Sequence, residues 1–512
     1  MASGGAGGPF GRGPPSLRDP RGCGPQVLTE PDEGIAPPAF AEPPATAAEP
    51  ASAHRYFSPW LTAVYALITI LLVAFFYWSW GSPLTNLQQP EESLARLVSR
   101  EMDLRDALRR APYWEKRLYE ITGSDPETFD DAIARFDEID EEQRSTRTDL
   151  NLTVLLGESG LLERAANLVE ALEGNDGTAA DYGRWLEAAY LDAPDPAEAT
   201  ALTDEIRRDL PRDWFTDTLV RRIATRVDDQ ALEADAEATV AHRGHLMLIR
   251  VRGLTIASAV LFVLGGLMLW ALTRGPRGAR LAEAPLPPSW LGLDGLGLFF
   301  RAAFSYLLVP AAAVLLLPRS PVVTAVMGLV GGLPMLWWIG RYLHSRDETI
   351  RDTFGLLPPP GSRRRILGWG LVLLVVSMAG ESLLSIGLNA LGVSSHWADG
   401  FLEDFLWGSP ATVAAGTLDG VVWAPIFEEL AFRGLLYPTL RLRLPAWPAA
   451  LLSAAIFAVA HGYGLQGFLA VCWSGAAWAL GYERTRSLLP GVVAHAGSNL
   501  IATSSFLLLL RF

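Results

Sequence analysis

The sequence predicts an all-α protein: a polytopic membrane helix bundle of about nine spans with an inserted extracytoplasmic helical domain. The chain has 512 residues, of which 50% are hydrophobic and 19% charged, and its apolar runs recur at lengths that cross a bilayer. Residues 81–250 hold 37 acidic and 20 basic side chains. This acidic stretch therefore differs in kind from the apolar, mildly basic remainder.

The N-terminal part divides into a tail and an anchor. Residues 1–55 are rich in Gly, Pro and Ala, and we expect them to be disordered because they offer little apolar surface to bury. Residues 56–80 contain an uncharged run with aromatic residues at both ends, which predicts a transmembrane anchor. A cleaved signal peptide is the alternative, and the length of the preceding tail argues for a retained anchor.

Residues 81–250 read as a soluble domain of short amphipathic helices. Apolar residues recur at spacings of three and four, and breaks such as Gly123 to Pro126 separate the helices. Helical pairs of this length suggest a tetratricopeptide-like solenoid, but no clean 34-residue repeat is present. A plain helical bundle is equally compatible with the sequence. This acidic domain is also a candidate site for a protein partner.

The rest of the chain consists of apolar runs. Residues 251–365 are expected to hold transmembrane spans and cytoplasmic arginine-rich loops, and residues 366–512 a transmembrane core. The predicted spans that follow the anchor are 253–273, 296–317, 321–340, 366–391, 411–440, 446–462, 466–482 and 489–510.

Arginine placement predicts the orientation of these spans. If the N-terminus is cytoplasmic, thirteen arginines fall in short inner loops, and Arg319 alone falls in a short outer loop. Because basic residues collect on the cytoplasmic side, we expect a multi-pass protein of the cell membrane. Its N-terminus would lie inside and residues 81–250 outside.

Several classes of protein are excluded by composition. The only two cysteines, Cys23 and Cys472, are far apart, which rules out a disulfide framework and a cysteine-based zinc site. No stretch is basic and aromatic enough to follow a nucleic-acid backbone.

Charged residues within apolar runs are the candidate functional groups, since charge at membrane depth is costly. Glu429 and Arg433 are four residues apart, so they share a helix face and can form an ion pair. Glu428 is rotated by about 100° from its neighbour. This arrangement leaves one carboxylate paired and one free. A Glu–Arg pair that only holds helices together is the structural alternative.

Two histidines also lie in apolar runs. His461 follows Phe457 by four residues, and His495 precedes Asn499 by four, so each pair shares a face. Small residues around both histidines allow helices to approach closely. Glu381 and Asp419 are two further intramembrane acids, for which we expect structural contacts rather than chemistry.

Together these groups suit hydrolysis of a peptide bond at membrane depth. Glu428 with an imidazole can deprotonate a water molecule as it attacks a carbonyl. His495 and Asn499 can donate hydrogen bonds to the developing oxyanion. Neither the Gly-Xaa-Ser-Xaa-Gly elbow nor the His-Glu-Xaa-Xaa-His helix is present.

The three motifs, in order, resemble those of the CPBP intramembrane proteases. This family includes the type II CAAX prenyl proteases and abortive-infection-like bacterial relatives, and the resemblance covers roughly residues 366–510. It implies that Glu428 and His461 activate water and that His495 and Asn499 form the oxyanion hole. It further implies that Glu429, Arg433 and Phe457 support the site.

The sequence is compatible with a mechanism without a metal ion and with one that uses zinc. The resemblance favours a metal-free mechanism, while Glu428, His461 and His495 are also a plausible zinc set. The expected partners are a protein or peptide substrate and the lipid bilayer, and prenylated substrates are not assumed.

The sequence also allows two competing functions, an ion- or proton-coupled transporter and a non-catalytic membrane scaffold. The polar groups crowd the last four spans and no inverted repeat is seen, which argues against a transporter.

Overall fold

The computed structural model describes residues 55–80, 83–122, 128–140, 144–274, 281, 286, 288, 290–317, 320–356 and 361–512. Every regular element in these residues is helical, so the predicted all-α class is confirmed. Except for residue 55, the predicted disordered tail lies outside the described residues.

Helix α1 is the predicted anchor, and eight short helices of the soluble domain follow it. Their bounds are α1 Pro59–Trp80, α2 Pro90–Arg109, α3 Tyr113–Thr122, α4 Phe129–Asp137, α5 Thr146–Ser159, α6 Leu162–Glu173, α7 Thr178–Leu186, α8 Pro196–Asp209 and α9 Trp214–Arg226. A 3₁₀ turn, Pro83–Asn86, precedes α2, and a π-helical turn, Glu187–Leu191, follows α7.

Short polar residues determine where the soluble helices begin. The Asp195 side chain accepts hydrogen bonds from two backbone N–H groups at the start of α8, and Asp213 does the same for one at the start of α9. These bonds satisfy donors that have no partner within the helix. The helices pack around a common apolar core in which Trp185, Trp214 and Phe215 are buried.

Helix α10, Gln230–Arg274, is 45 residues long and runs through the boundary expected at residue 250. Its first half packs on the soluble domain, with Val240 and Met247 buried. Its second half is uncharged from Gly253 to Thr273. One continuous rod therefore joins the two parts of the chain.

The remaining helices build the membrane part. Their bounds are α11 Gly292–Leu316, α12 Pro321–His344, α13 Ile350–Thr353, α14 Arg363–Ala390, α15 Glu403–Trp407, α16 Pro410–Leu418, α17 Ala424–Glu429, α18 Tyr437–Arg441, α19 Ala446–Val459, α20 Leu465–Thr485 and α21 Leu489–Phe506. π-helical segments Asp419–Trp423, Leu430–Leu436 and Leu507–Arg511 continue α16, α17 and α21.

Six helices in the described residues are long and apolar enough to cross a membrane: α1, α10, α11, α12, α14 and α21 with its π-helical extension. The predicted count of nine spans is not confirmed. Run 411–440 is divided among α-helical and π-helical segments and carries several charges, and run 446–462 forms only the 14-residue helix α19. The helix over run 466–482 continues to Thr485 and carries Glu483 and Arg484. The tetratricopeptide-like arrangement is not confirmed either.

The segments that connect the membrane helices lie at two opposite ends of the helix bundle. At one end, Asp294 is fully buried and accepts hydrogen bonds from the backbone N–H groups of Tyr56 and Phe57 at 3.0 and 3.2 Å. At the same end, the N–H of Leu488 donates to the carbonyl of Phe354 at 3.2 Å. We call this the arginine-rich end, because the predicted inner loops meet there.

The soluble domain and loop 391–409 meet at the opposite end. The Glu403 carboxylate accepts hydrogen bonds from the backbone N–H groups of Gln88 and Gln89, at 2.5 and 2.8 Å, just before α2 begins. The Glu138 carboxylate contacts the ring nitrogens of His396 and Trp397 at 2.8 and 3.1 Å. The soluble domain is thus fixed to the loop that leads into α16.

Candidate functional site

Glu428 and Glu429 lie at the end of α17, between two π-helical segments. The run from Pro410 to Arg441 is therefore continuous in the chain but irregular in its helical pitch. π-helical turns occur mostly as single insertions, frequently at functional sites, because they redirect side chains relative to a regular helix. The sequence placed both glutamates on a regular span and did not predict these turns.

Glu429, Arg433 and His495 form a buried cluster. Arg433 Nη1 donates to Glu429 Oε1 at 2.8 Å, and both side chains are about 1% exposed. The structure therefore contains the ion pair that the spacing predicted. His495 Nδ1 lies 3.1 Å from the same Oε1 atom. One carboxylate oxygen thus joins a guanidinium to an imidazole.

Glu428 lies on the other side of the His495 ring. Its Oε2 atom is 3.7 Å from His495 Nε2, and 22% of its side chain is exposed. It is also close enough to Tyr306 and Tyr463 to interact with them electrostatically. Glu428 is thus the more accessible carboxylate, and the imidazole that it faces is that of His495.

His461 lies in the turn after α19, one turn beyond Phe457. Its Nδ1 atom is 2.8 Å from the Phe457 carbonyl oxygen, and its ring meets the Phe457 ring edge to face at 4.6 Å. Phe457 also contacts the His495 ring, at 5.8 Å between centroids. The two imidazoles therefore flank one phenyl ring, and His461 is half-buried at the edge of the cluster.

Asn499 lies one turn after His495 on α21. Its Nδ2 atom donates to the carbonyl of Gly420 at 2.7 Å. Gly420 belongs to the first π-helical segment of the run that carries Glu428. Asn499 thus links α21 to this run, and its second N–H is free for another acceptor.

Helix α20 supplies groups that sequence reasoning missed. Trp478 stacks on the His495 ring at 4.4 Å, and Arg433 lies over the rings of Phe457 and Trp478 at 4.1 and 5.1 Å. A Cβ atom on Gly475 would lie 2.7 Å from Arg433 Nη2. Gly475 and Trp478 are three residues apart and share a helix face, so one face of α20 meets the cluster.

Two other intramembrane acids have structural partners. Asp419 Oδ1 accepts from the backbone N–H of Gly328 at 2.9 Å. Glu381 accepts a hydrogen bond from the Ser474 hydroxyl. Both contacts join neighbouring helices.

The alternative zinc set stays a prediction. Within the described ranges, no group of three or more His, Cys, Asp and Glu side chains is placed to hold a metal ion. His461 Nδ1 faces a carbonyl oxygen, and both ring nitrogens of His495 face carboxylates.

Residues 410–501 match the family model for Rce1-like proteins, described as type II CAAX prenyl endopeptidase Rce1-like. The matched range includes Glu428, His461, His495 and Asn499. It confirms the predicted family resemblance and the predicted class of enzyme, a membrane protease. Comparisons with curated proteins and with solved structures gave no match.

Proposed function

We propose that this chain, whose residues 410–501 carry a domain of the type II CAAX prenyl endopeptidase family, hydrolyses peptide bonds within the membrane at a water molecule activated by Glu428. The observation that carries this proposal is the contact of His495 with both glutamates. Glu429 is buried and paired with Arg433, whereas Glu428 is partly exposed. Two adjacent carboxylates thus have different environments and different tasks.

Glu428 acts as the general base. It takes a proton from water while the water oxygen bonds to the carbonyl carbon of the substrate. The same proton then passes to the departing amine as the C–N bond breaks. His461, which flanks the cluster beside Phe457, helps to position this water.

His495 and Asn499 stabilise the oxyanion. In its imidazolium form, His495 donates Nδ1–H to Glu429 and presents Nε2–H on the side of Glu428. Two carboxylates, one guanidinium and one imidazolium give a neutral cluster, which limits the cost of placing these charges in a low-dielectric site. Donors fixed in advance in such a site stabilise developing charge strongly.

No metal ion takes part in this mechanism. Supporting this, His461 Nδ1 lies beside the Phe457 carbonyl oxygen, and both ring nitrogens of His495 lie beside carboxylate oxygens. Zinc analysis of the purified, active protein tests it: a stoichiometric metal whose removal abolishes cleavage would replace the general-base mechanism.

Substitution of Glu428 tests the reaction. Purified full-length protein in detergent is incubated with a peptide library, and products are identified by mass spectrometry. Glu428→Gln keeps the shape and removes the base, so we expect cleavage to fall at least about 100-fold. Glu381→Gln is the matched control, because Glu381 contacts Ser474 outside the cluster, and it should cleave like the unaltered protein. Equal cleavage by Glu428→Gln refutes the proposal.

The same variants address the transporter alternative in a proton-flux assay on proteoliposomes. A flux that both glutamine variants reduce, without peptide cleavage by the unaltered protein, would favour a transporter.

We further propose that the chain crosses the membrane nine times and that its N-terminus lies in the cytoplasm. Successive connecting segments lie alternately at the two ends of the membrane part. This supports an odd number of crossings, in which each of the shorter or charged runs, 410–441, 446–459 and 465–485, is counted as one crossing. Segments at the same end contact one another: Tyr77 OH donates to the Val459 carbonyl at 2.5 Å, and the N–H of Gly464 donates to Asp399 at 3.3 Å. The thirteen arginines of the predicted inner loops support a cytoplasmic position for the arginine-rich end. Residues 81–250, at the opposite end, would then lie outside.

Cysteine labelling of intact cells tests this orientation. With Cys23 and Cys472 replaced by serine, Asp176→Cys should react with a membrane-impermeant maleimide, whereas Arg364→Cys should react only after permeabilisation. Both positions are exposed. The reverse pattern would invert the topology.

A further inference from the structure

The turn after α19 carries His461 and Tyr463 and lies at the end of the helix bundle that meets the soluble domain, here called the soluble-domain end. Tyr463 is 37% exposed, and its ring lies 5.7 Å from the ring of His461. Tyr463 is also close enough to Glu428 to interact with it electrostatically. The turn therefore reaches from the neighbourhood of Glu428 to the surface of the bundle.

Loop 391–409 packs on this turn. The N–H of Gly464 donates to Asp399 at 3.3 Å, and a Cβ atom on Gly400 would lie 3.3 Å from Tyr463 Cε1. Tyr463 interacts electrostatically with Asp399 as well as with Glu428. The same loop is fixed to the soluble domain. A chain of polar contacts thus leads from Glu428 to the water-exposed part of the protein.

The packing on either side of Glu428 is unequal. Residues 429–441, which run from the site to the arginine-rich end, are buried at all but two positions. Residues 410–428, which run from the soluble-domain end to the site, are buried at only three positions. The bundle is therefore closed by side chains between Glu428 and the arginine-rich end, and it is loosely packed in the opposite direction.

Helix α21 shows the same difference. All of its buried residues lie at or before His495. Beyond His495, Asn499 and Thr503 follow at spacings of four, so they continue its helix face, and both are half-buried. A line of polar side chains thus runs from the site towards the soluble-domain end. Polar groups at membrane depth face the interior of a bundle or a water-filled space.

We propose that Glu428 is reached from the soluble-domain end, along a polar passage beside loop 391–409. This inference rests on the proposed hydrolysis and names the substrate: a polypeptide segment on the side of the membrane that carries the soluble domain. With the orientation proposed above, such segments are extracytoplasmic. Water enters by the same passage, and a segment confined to the arginine-rich side does not reach Glu428.

Ile426 provides a matched comparison for exposure to water. It is 38% exposed, more than the Glu428 side chain at 22%. The two residues are two apart in α17, so their side chains differ in direction by about 200°. Since Ile426 is apolar and points away from Glu428, we expect it to face lipid.

Cysteine labelling tests the direction of access without requiring activity. With Cys23 and Cys472 replaced by serine, full-length Glu428→Cys and Ile426→Cys are expressed in cells, from which sealed membrane vesicles of both orientations are prepared. The probe is a trimethylammonium methanethiosulfonate, a small cation that does not cross membranes. Asp176→Cys identifies the orientation that exposes the soluble domain, and Arg364→Cys identifies the other.

Glu428→Cys should react in the vesicles in which Asp176→Cys reacts, at least tenfold faster than in the opposite vesicles. It should also react at least tenfold faster than Ile426→Cys. Reaction from the arginine-rich side, reaction from neither side, or a rate equal to that of Ile426→Cys would overturn the proposal. Because the reference is Asp176→Cys, the result holds whichever side of the membrane proves to be cytoplasmic.

Peptide cleavage by the unaltered chain is the second measurement, and it does not depend on any variant folding. The peptide library is added outside vesicles of each orientation. Vesicles that expose the soluble domain should cleave at least tenfold faster, and detergent should make the two preparations equal. Faster cleavage by the opposite vesicles would overturn the proposal. An absence of cleavage even in detergent refutes the proposed hydrolysis, whereas the labelling still decides from which end Glu428 is reached.

Discussion

Glu429→Gln is the substitution that separates the contribution of the buried cluster to the stability of the protein from its contribution to peptide hydrolysis. Glu429 is paired with Arg433 at 2.8 Å and lies 3.1 Å from His495 Nδ1. Glutamine keeps the size of the side chain and can still form hydrogen bonds, but it removes the negative charge. Arg433, at 1% exposure, is then left as a buried cation beside a neutral amide.

The structure gives the expected magnitudes. Removing one partner of a buried ion pair costs about 3–5 kcal/mol, because the other charge stays buried without compensation. We expect a clear fall in the thermal unfolding midpoint. Hydrolysis should also fall by at least about 100-fold, because His495 loses the anion that orients its ring. The double variant Glu429→Gln/Arg433→Met removes both charges and should recover most of the stability but none of the hydrolysis.

The assay measures both quantities on the same preparation: unfolding in detergent, and peptide turnover at a temperature where all variants are folded. Glu483→Gln is the matched control. Glu483 forms an ion pair with Arg441 at 3.1 Å outside the catalytic cluster, so its loss should lower stability and leave turnover intact. Turnover that survives Glu429→Gln, or that returns in the double variant, would refute the orienting role of Glu429.

Two further predictions concern packing and pH. Gly475→Ala places a methyl group 2.7 Å from Arg433 Nη2 and 3.0 Å from Ala454 Cβ, so it should cost about 1–3 kcal/mol and lower turnover, measured in the same two assays. Gly387→Ala, with no atom within 4 Å, should have neither effect, and equal behaviour of the two variants would contradict this packing. Burial, opposed by Arg243, raises the pKa of Asp103 from 3.8 to about 6. The folded protein then binds this proton more tightly than the unfolded chain, so the stabilisation is complete below pH 3.8 and is lost as the pH rises to about 6. The stability of the unaltered protein relative to Asp103→Asn should therefore decrease over this range by up to about 3 kcal/mol, and an increase measured by denaturant unfolding would show that the attraction of Arg243 outweighs burial.

The residues of the site were predictable because charge inside an apolar run is conspicuous. Glu428, Glu429, Arg433, His461 and His495 all stand out against their neighbours, and the spacing of four predicted the Glu429 to Arg433 pair that the structure shows. Their roles in catalysis stay predictions that the proposed substitutions test. The two π-helical segments around the glutamates were not predictable, because nothing in a pattern of apolar residues distinguishes the i→i+5 hydrogen bonds of a π-helix from the i→i+4 bonds of an α-helix.

The contribution of α20 was also hidden in the sequence. This helix carries no charge between Gln466 and Tyr482, so it read as an ordinary span. Only packing brings Trp478 onto the His495 ring and lets Gly475 approach Arg433.

The sequence by itself determined the all-helical class, the division into a soluble acidic part and an apolar part, and the candidate residues of the site. These follow from local composition and periodicity, because water and lipid sort side chains by polarity. Tertiary structure decided that the His495 ring faces both glutamates, that His461 faces a backbone carbonyl, and that the soluble domain is fixed to the loop before the helical run that carries the glutamates. Those are contacts between distant segments, and they depend on how the helices pack rather than on any single stretch of the chain.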